Sequence, residues 1–309
     1  MPIFTEPKVE NIHIYPIKSC HGIQVEECQT GYLGVEYDRR FMMIEEDTNK
    51  FITQRKYPSL CLLYPKINIK KNILTLTAQG QDDFEFPLQQ DLSQLPQLTI
   101  KLWKDTLILF DLGQKVADWL TQFLILHKDH TDENDQGEVP RVRLVTIDPG
   151  VYSRPAHPNL PGVHLPLTDE SPISMGCLTS LEEINKTLKN KIPMSRFRNN
   201  INISGTVPWE EDHWLVVSIG EATFYIVQPT ARCPIPNIDQ ETGKKDAWCG
   251  PTDHLKKLRQ FREEPGQGQF CCDVIPLTFG KVRVGDTIKV LERIPKDHRQ
   301  FPIQQSCTI

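Results

Sequence analysis

The sequence predicts a mostly β protein with a few attached helices (α+β), built as two β-barrel domains in series. Three observations carry this. Short runs in the first third alternate apolar and polar residues, the period of a half-buried strand. Helical patterns are short and occur singly between strands. A chain of 309 residues exceeds what one hydrophobic core usually fills. We place an N-terminal barrel over residues 1–127, a polar linker or loop over 128–140, a second barrel over 141–295 and a tail over 296–309.

In the first barrel, "RRFMMIEED" and "KFITQRKYP" read as strands. "LLYPKINIKKNILTLTA" reads as a hairpin turning at Lys70–Asn72, and "LTIKLWKDTLILFD" as another turning near Lys104-Asp105. "GQKVADWLTQFLI" places Val116, Trp119, Leu120 and Phe123 on one face of an amphipathic helix that packs over the barrel. "HKDHTDENDQGEVPR" is charge-rich and without period, hence the linker. His127 and His130 stand three apart at its start, a conceivable metal pair with no third ligand nearby.

The second barrel opens on the strand "RVRLVTID". The helix "TSLEEINKTLK" follows, with Ser180 and Glu183 at capping-box spacing, then the strand in "NNINISG". "WLVVSIGEATFYIVQ" reads as a hairpin turning at Gly220-Glu221, "HLKKLRQFR" as a helix and "KVRVGDTIKVLE" as a hairpin turning at Gly285-Asp286. No internal repeat, G-x-G-x-x-G or Walker loop is present.

Composition narrows the function. A chain 39% hydrophobic and 24% charged is an ordinary soluble globular type. Its net charge of −5 argues against general nucleic-acid binding, which needs a basic face. No apolar run is long enough for a signal peptide or for the roughly 18–20 residues that cross a bilayer, so a cytoplasmic protein without membrane contact is expected, and a monomer is the expected state. Nine cysteines at irregular spacing suit reduced thiols. The absence of any C-x-x-C, and the side-by-side Cys271-Cys272, argue against zinc fingers and iron–sulfur sites. Cys307 stands third from the last residue, one place short of a prenylation box.

The stretch "QPTARCPIPNID" concentrates the chemistry. Pro229, Pro234 and Pro236 lack donors and lock φ, which predicts a stiff loop outside helix interior and central strand. Arg232 beside Cys233 favours the thiolate, the form that acts as nucleophile or soft metal ligand. Three further clusters share this character: Lys18 and Ser19 in "YPIKSCHG", Arg39 and Arg40 in "YDRRF", and Arg196, Arg198 and two asparagines in "SRFRNNINISG". Arginine and lysine bind phosphate while asparagine amides read heterocycle edges, so together they describe a pocket for an anion bearing a polar ring. A solvated surface charge is the ordinary role of any one of these residues, and a small buried hydrophobe that of a cysteine.

In order along the chain, "IYPIKSC", "YDRRFMMI", "TDESPIS", "RFRNNINISG", "ARCPIPNIDQETG" and "GDTIKV" resemble the MOSC-domain proteins. The likeness extends to the amidoxime-reducing component and its bacterial relatives, which carry an N-terminal β-barrel before the MOSC domain. It runs from about Val9 to Leu291. The resemblance implies a molybdenum enzyme that needs no pyridoxal phosphate and reduces N-hydroxylated compounds: amidoximes, hydroxylamines and N-hydroxylated bases. It makes Cys233 the ligand of a molybdenum held by molybdopterin, as suits a soft thiolate. By the same matching Lys18, Ser19, Arg40, Ser171, Arg198 and Asn200 take cofactor positions, with Thr230 and Arg232 beside them, and Asp169 is the candidate proton donor. The cofactor is expected between the two domains. Ala231 stands where close relatives have serine, with Thr230 as the candidate replacement, and Glu170 where some have threonine. Some bacterial relatives continue into a ferredoxin domain. No cysteine cluster here builds one, so electrons are expected from a separate protein of cytochrome b5, ferredoxin or flavin reductase type. Two other functions use the same residues: a non-catalytic carrier of the cofactor or of sulfur, and a thiol hydrolase pairing Cys233 with His213 or His254.

Overall fold

The computed structural model describes residues 6–128, 138–156, 162–246, 250–260 and 266–294. The first half runs β1 (Lys8–Ile14), β2 (Ile23–Val25), β3 (Glu27–Gly31), β4 (Gly34–Val35), β5 (Phe41–Glu45), β6 (Tyr64–Asn68), β7 (Ile73–Ala78), β8 (Gln81–Pro87), β9 (Gln97–Leu102), β10 (Asp105–Asp111) and α1 (Gln114–Leu126). The second runs β11 (Val142–Thr146), β12 (Ile173–Cys177), α2 (Leu178–Asn185), β13 (Ile201–Ser204), β14 (Trp214–Ile219), β15 (Ala222–Ala231), α3 (Pro251–Leu258), β16 (Gln269–Pro276), β17 (Lys281–Arg283) and β18 (Ile288–Arg293). The chain is mostly β, as the alternation predicts, and its sheets curl into half-barrels. Among the described residues no helix is long and apolar enough to cross a membrane.

The largest sheet has the order β18-β14-β15-β16-β12-β13-β1-β2, so β1 from the start of the chain, with β2 at its outer edge, joins a sheet made otherwise from the second half. It pairs antiparallel with β13, Lys8 against Ser204 and Ile12 against Ile201. The converse occurs at β11, which pairs with β5 and β10 of the first half in the sheet β5-β11-β10-β9. Two three-stranded sheets, β6-β7-β8 and β17-β3-β4, complete the fold.

Local signals hold well. The hairpins β6-β7, β9-β10 and β14-β15 turn where expected. Helix α1 buries Val116, Leu120 and Phe123 with Trp119 half-covered, each fully buried side chain contributing about 1.5–3 kcal/mol of transfer free energy. Helix α3 starts earlier than expected, because Pro251 at its first turn is preset for helix and lacks only a donor no helix would use.

Four expectations are corrected. "KFITQRKYP" is not a strand: Phe51 makes a single bridge to Ile44, and the chain then turns into a 3-10 helix at Pro58–Leu62. β17 and β18 do not form a hairpin, since β17 pairs with β3 and β18 with β14. The Ser180–Glu183 capping box is not made: α2 already begins at Leu178, and Ser180 Oγ accepts from the Trp209 amide instead. β15 continues through Pro229 to Ala231, paired with β16. Its pairing slips on both sides of Pro229, and β14 accompanies it only as far as Tyr225, so the proline sits at a bulge on a locally free edge where its missing donor costs no ladder bond.

Candidate functional site

A cavity of about 250 Å³ opens where the two halves meet. Lys18, Ser19 and Arg55 line it from the first half, and Asp169, Ser171, Arg198, Asn200, Thr230, Arg232 and Cys233 from the second. Of the residues expected at the cofactor, Arg40 alone does not line it, and its neighbour Arg39 does. Arg39 sits in a tight turn at φ 44°, which throws its side chain toward the cavity, while Arg40 enters β5 and faces the other way.

The cationic wall is built from both ends of the chain. Lys18 follows Ile17, which bridges to Phe41; the Lys18 amide donates to the Phe41 carbonyl at 2.8 Å, and its ammonium is buried. Ser19 is left-handed at φ 68°, and its carbonyl accepts from Gln54 Nε2 at 2.6 Å. Gln54 also pairs with Gln240, whose Oε1 accepts from Arg198 Nη1 at 3.2 Å. Arg198, itself left-handed at φ 57°, ends the 3-10 helix Met194–Phe197. Its guanidinium lies 4.5 Å from the Tyr15 ring centre, and that of Arg39 4.2 Å, so one ring supports two cations. Arg39 is neutralised by Asp38 at 2.6 Å. Arg198 is only 8% exposed and, among the described residues, has no carboxylate partner, and its Nη2 is buried with no hydrogen-bond partner.

Asp169 ties Lys18 to the mouth. Its carboxylate accepts from the Lys18 ammonium, from Arg55 at 3.2 Å and from Trp103 Nε1 at 3.0 Å. Burial alone would raise its pKa, but Lys18, Arg55 and the Trp103 hydrogen bond together hold the carboxyl well below the usual range. Arg154 fixes the loop that carries it, donating to the carbonyls of Pro166, Thr168 and Asp169.

The thiol loop leaves β15 at Ala231. Arg232 is anchored through its amide on the Gly268 carbonyl at 2.9 Å, and the 3-10 turn Ile235–Asn237 follows. The Arg232 guanidinium donates to the Phe270 carbonyl at 2.7 Å and rests over Phe197, so it braces the loop floor. The cation whose charge acts on Cys233 is Arg55, which donates to Asp169 at 3.2 Å. Nothing in "KFITQRKYP" distinguished that arginine from a solvated charge. Among the described cysteines Cys233 is half-buried, and the other six are buried. Burial pushes Cys61 up to about 11 and Cys271 to about 12, far from a usable thiolate.

The remaining polar residues are struts. Ser171 Oγ links the Ile173 and Val274 backbones. Asn200 donates to Asp38 at 2.9 Å and accepts from the Ser174 amide. Thr230 Oγ1 donates to Asp273 at 2.8 Å. Among the described residues no histidine lines the cavity, so neither His213 nor His254 is placed as a base for Cys233. His127 Nδ1 contacts the Phe123 carbonyl at 3.0 Å, while His130 and Cys307 lie outside the described residues. Among the described residues no three His, Cys, Asp or Glu side chains converge to hold a metal, so a metal at Cys233 must arrive with ligands of its own.

The model of the MOSC N-terminal beta barrel domain matches residues 6–127, and that of the MOSC domain residues 163–289. Molybdenum cofactor sulfurase of Bos taurus is 30% identical over 268 residues, which are 82% of this chain and 29% of that protein. Mitochondrial amidoxime-reducing component 1 of Mus musculus is 28% identical, over 92% of this chain and 82% of that protein. Mitochondrial amidoxime reducing component 2 of Rattus norvegicus is 29% identical, over 91% and 82%. This chain therefore spans less than a third of the sulfurase, but most of the amidoxime-reducing components. The sulfurase is named for the molybdenum cofactor and the other two relatives for the reduction of amidoximes. With one domain model over each half, the chain belongs to the MOSC-domain proteins that carry an N-terminal MOSC β-barrel.

Proposed function

We propose that the cavity holds a molybdenum cofactor and that the chain reduces N-hydroxylated compounds there, with Cys233 as the protein ligand of the metal. The observation that carries this reading is Arg198: a buried guanidinium without a carboxylate, one nitrogen unpartnered, on the cavity that Cys233 lines. An unpaired buried cation is costly, and an anionic ligand that carries a soft metal on sulfur donors would satisfy both the cation and the thiolate, itself a soft donor. When bound, the cofactor supplies the two-electron redox change. Arg198, Lys18 and Ser19 bind its anionic part, and Arg55 steadies the Cys233 thiolate from outside. Asp169 is ionised at neutral pH, so we assign it to holding Lys18 and Arg55, and the protons of the reaction to solvent. Trp103, 44% exposed and hydrogen-bonded to Asp169, presents an aromatic edge to a substrate at the mouth.

The test is metal analysis of protein produced in a molybdenum-replete host, followed by turnover of benzamidoxime with an artificial electron donor. One molybdenum per chain with turnover supports the reading; protein free of molybdenum, with no turnover, overturns it.

A second reading keeps the pocket and drops the chemistry: a carrier of the cofactor, or of sulfur as a Cys233 persulfide. The half-exposed thiol beside Arg55 and the sulfurase relative favour it. Molybdenum without turnover, or a mass gain of one sulfur at Cys233, would select it.

A further inference from the structure

A second cavity, of about 520 Å³, lies on the far side of the Arg39-Arg40 step. Its size falls within the roughly 300–1,000 Å³ of small-ligand sites. The side chains of Leu33, Phe41, Leu88 and Ile147 give it an apolar interior. Its wall is preorganised. The strap after β8 is fastened to Asn72, which accepts from the Gln89 amide at 2.9 Å and donates to the Gln89 carbonyl at 2.7 Å. The Leu88 amide donates to the Asn72 carbonyl at 3.0 Å.

Arg40 lines this cavity, and its backbone is pinned by Thr146, whose hydroxyl donates to the Arg40 carbonyl at 3.1 Å. Nη1 of Arg40 is buried and has no hydrogen-bond partner, and no carboxylate stands within ion-pair distance among the described residues. Glu36, exposed on the same rim, and Asp38, which is paired with Arg39, act on the Arg40 charge without forming an ion pair with it. The hydroxyls and amides at the opening are partly engaged with one another, as in the Gln89 to Tyr37 contact. A guanidinium left unpaired against apolar walls is expensive unless an anion comes to it.

We propose that this cavity is a second ligand site, separate from the one that Cys233 lines, and that it takes a small monocarboxylate with an apolar body, its carboxylate on Arg40. Arginine presents parallel donors that match a carboxylate, and the apolar residues cover the remainder of the ligand. The ligand class follows from one cation, Arg40, set against an apolar interior of Leu33, Phe41, Leu88 and Ile147 beneath a polar rim that includes Glu36: a polyanion would leave charge unmatched, and a neutral apolar molecule would leave Arg40 unpaired.

The experiment is calorimetric titration of the full chain with 4-phenylbutyrate, its neutral amide 4-phenylbutyramide, and acetate. The acid should bind one per chain and at least about tenfold more tightly than the amide, the factor that one charge-assisted hydrogen bond supplies. Acetate, lacking the apolar body, should bind more weakly still. Arg40→Met should remove the preference for the acid with the circular dichroism spectrum unchanged. Leu92→Trp, which fills the cavity from its half-buried rim, should weaken acid and amide together. Arg198→Gln should leave the affinity as it is. Equal binding of acid and amide, acetate binding as well as 4-phenylbutyrate, no binding of 4-phenylbutyrate at millimolar concentration, or loss of binding in Arg198→Gln but not in Arg40→Met would each overturn the proposal.

Discussion

The Arg198 guanidinium lies over the Tyr15 ring at 4.5 Å and meets no carboxylate there. An aromatic face holds a cation in place without neutralising it, so the charge stays available to a ligand. Burial pushes the guanidinium pKa down, which the Tyr15 hydroxyl partly offsets, and an anion in the cavity relieves the same cost.

Removing that charge should therefore cost the ligand more than the fold. Arg198→Gln and Lys18→Gln are each expected to lower cofactor occupancy by a factor of ten or more, because a charge-assisted hydrogen bond contributes about 1.5–3 kcal/mol. Pterin released on denaturation, measured by fluorescence per mole of chain, checks this. Wild-type occupancy in both variants would show that the anion lies elsewhere.

Cys233→Ala is expected to abolish reductase activity and to reduce bound metal while leaving thermal unfolding within about 0.5 kcal/mol of wild type, as for a loop residue outside the ladder. Elemental analysis and calorimetry on the same sample separate the two effects. A fully active variant refutes ligation by the thiolate.

Asp169→Asn tests the ion-pair cluster through pH. The folded-state pKa of Asp169 is depressed, so its contribution to stability is complete above the unfolded value of about 3.9 and is lost as pH falls through the lower folded value. The wild-type advantage in Tm over the variant should hold from neutral pH down to about 4 and shrink below it. A difference independent of pH would mean that the carboxylate is not stabilised by its neighbours.

Glu211 should behave in the opposite sense. It is 1% exposed, both carboxyl oxygens are unpartnered, and Arg259 is taken by Asp212 at 2.6 Å. Burial, reinforced by the Asp212 charge, pushes the Glu211 pKa up to about 7. A raised carboxyl contributes stability fully present below its unfolded pKa and lost as pH rises through the folded one. Glu211→Gln should match wild type near pH 4 and exceed it at pH 8 by an amount on the order of 2–3 kcal/mol. Urea denaturation at the two pH values reads this directly, and equal differences at both would refute it.

Turnover with NADH or NADPH alone should be negligible, and addition of a cytochrome b5 or ferredoxin with its reductase should restore it. Such redox encounters use small, charge-steered interfaces, so the rate should fall as the Debye length shrinks from about 10 Å at 0.1 M salt to about 3 Å at 1 M. Rapid turnover with nicotinamide alone would remove the need for a partner.

Sequence reading succeeded where a structure is local. The turns at Lys70–Asn72 and Gly220-Glu221 and the apolar face of α1 follow from residues close together in the chain. It failed where a distant partner decides. The "KVRVGDTIKVLE" segment has the period and turn of a hairpin, yet β3 and β14 offer its two arms better neighbours than each other. Arg39 and Arg40 could not be told apart without knowing that the preceding turn is left-handed at Arg39. Arg55 and Trp103 carried no signal, because both reach the site through tertiary contacts with Asp169. The thiol and its flanking prolines stood out because their backbone chemistry is unusual wherever they are placed.

The exchange of β1 and β11 between the two halves has a consequence for biosynthesis. Lys8 pairs with Ser204, so β1 has only the three-residue β2 beside it until nearly two hundred further residues have been made. At the usual 5–20 residues per second, that segment waits roughly 10–40 s on the ribosome with Val9, Ile12 and Ile14 uncovered. A nascent chain in this state is a natural client for a chaperone that binds short apolar strands.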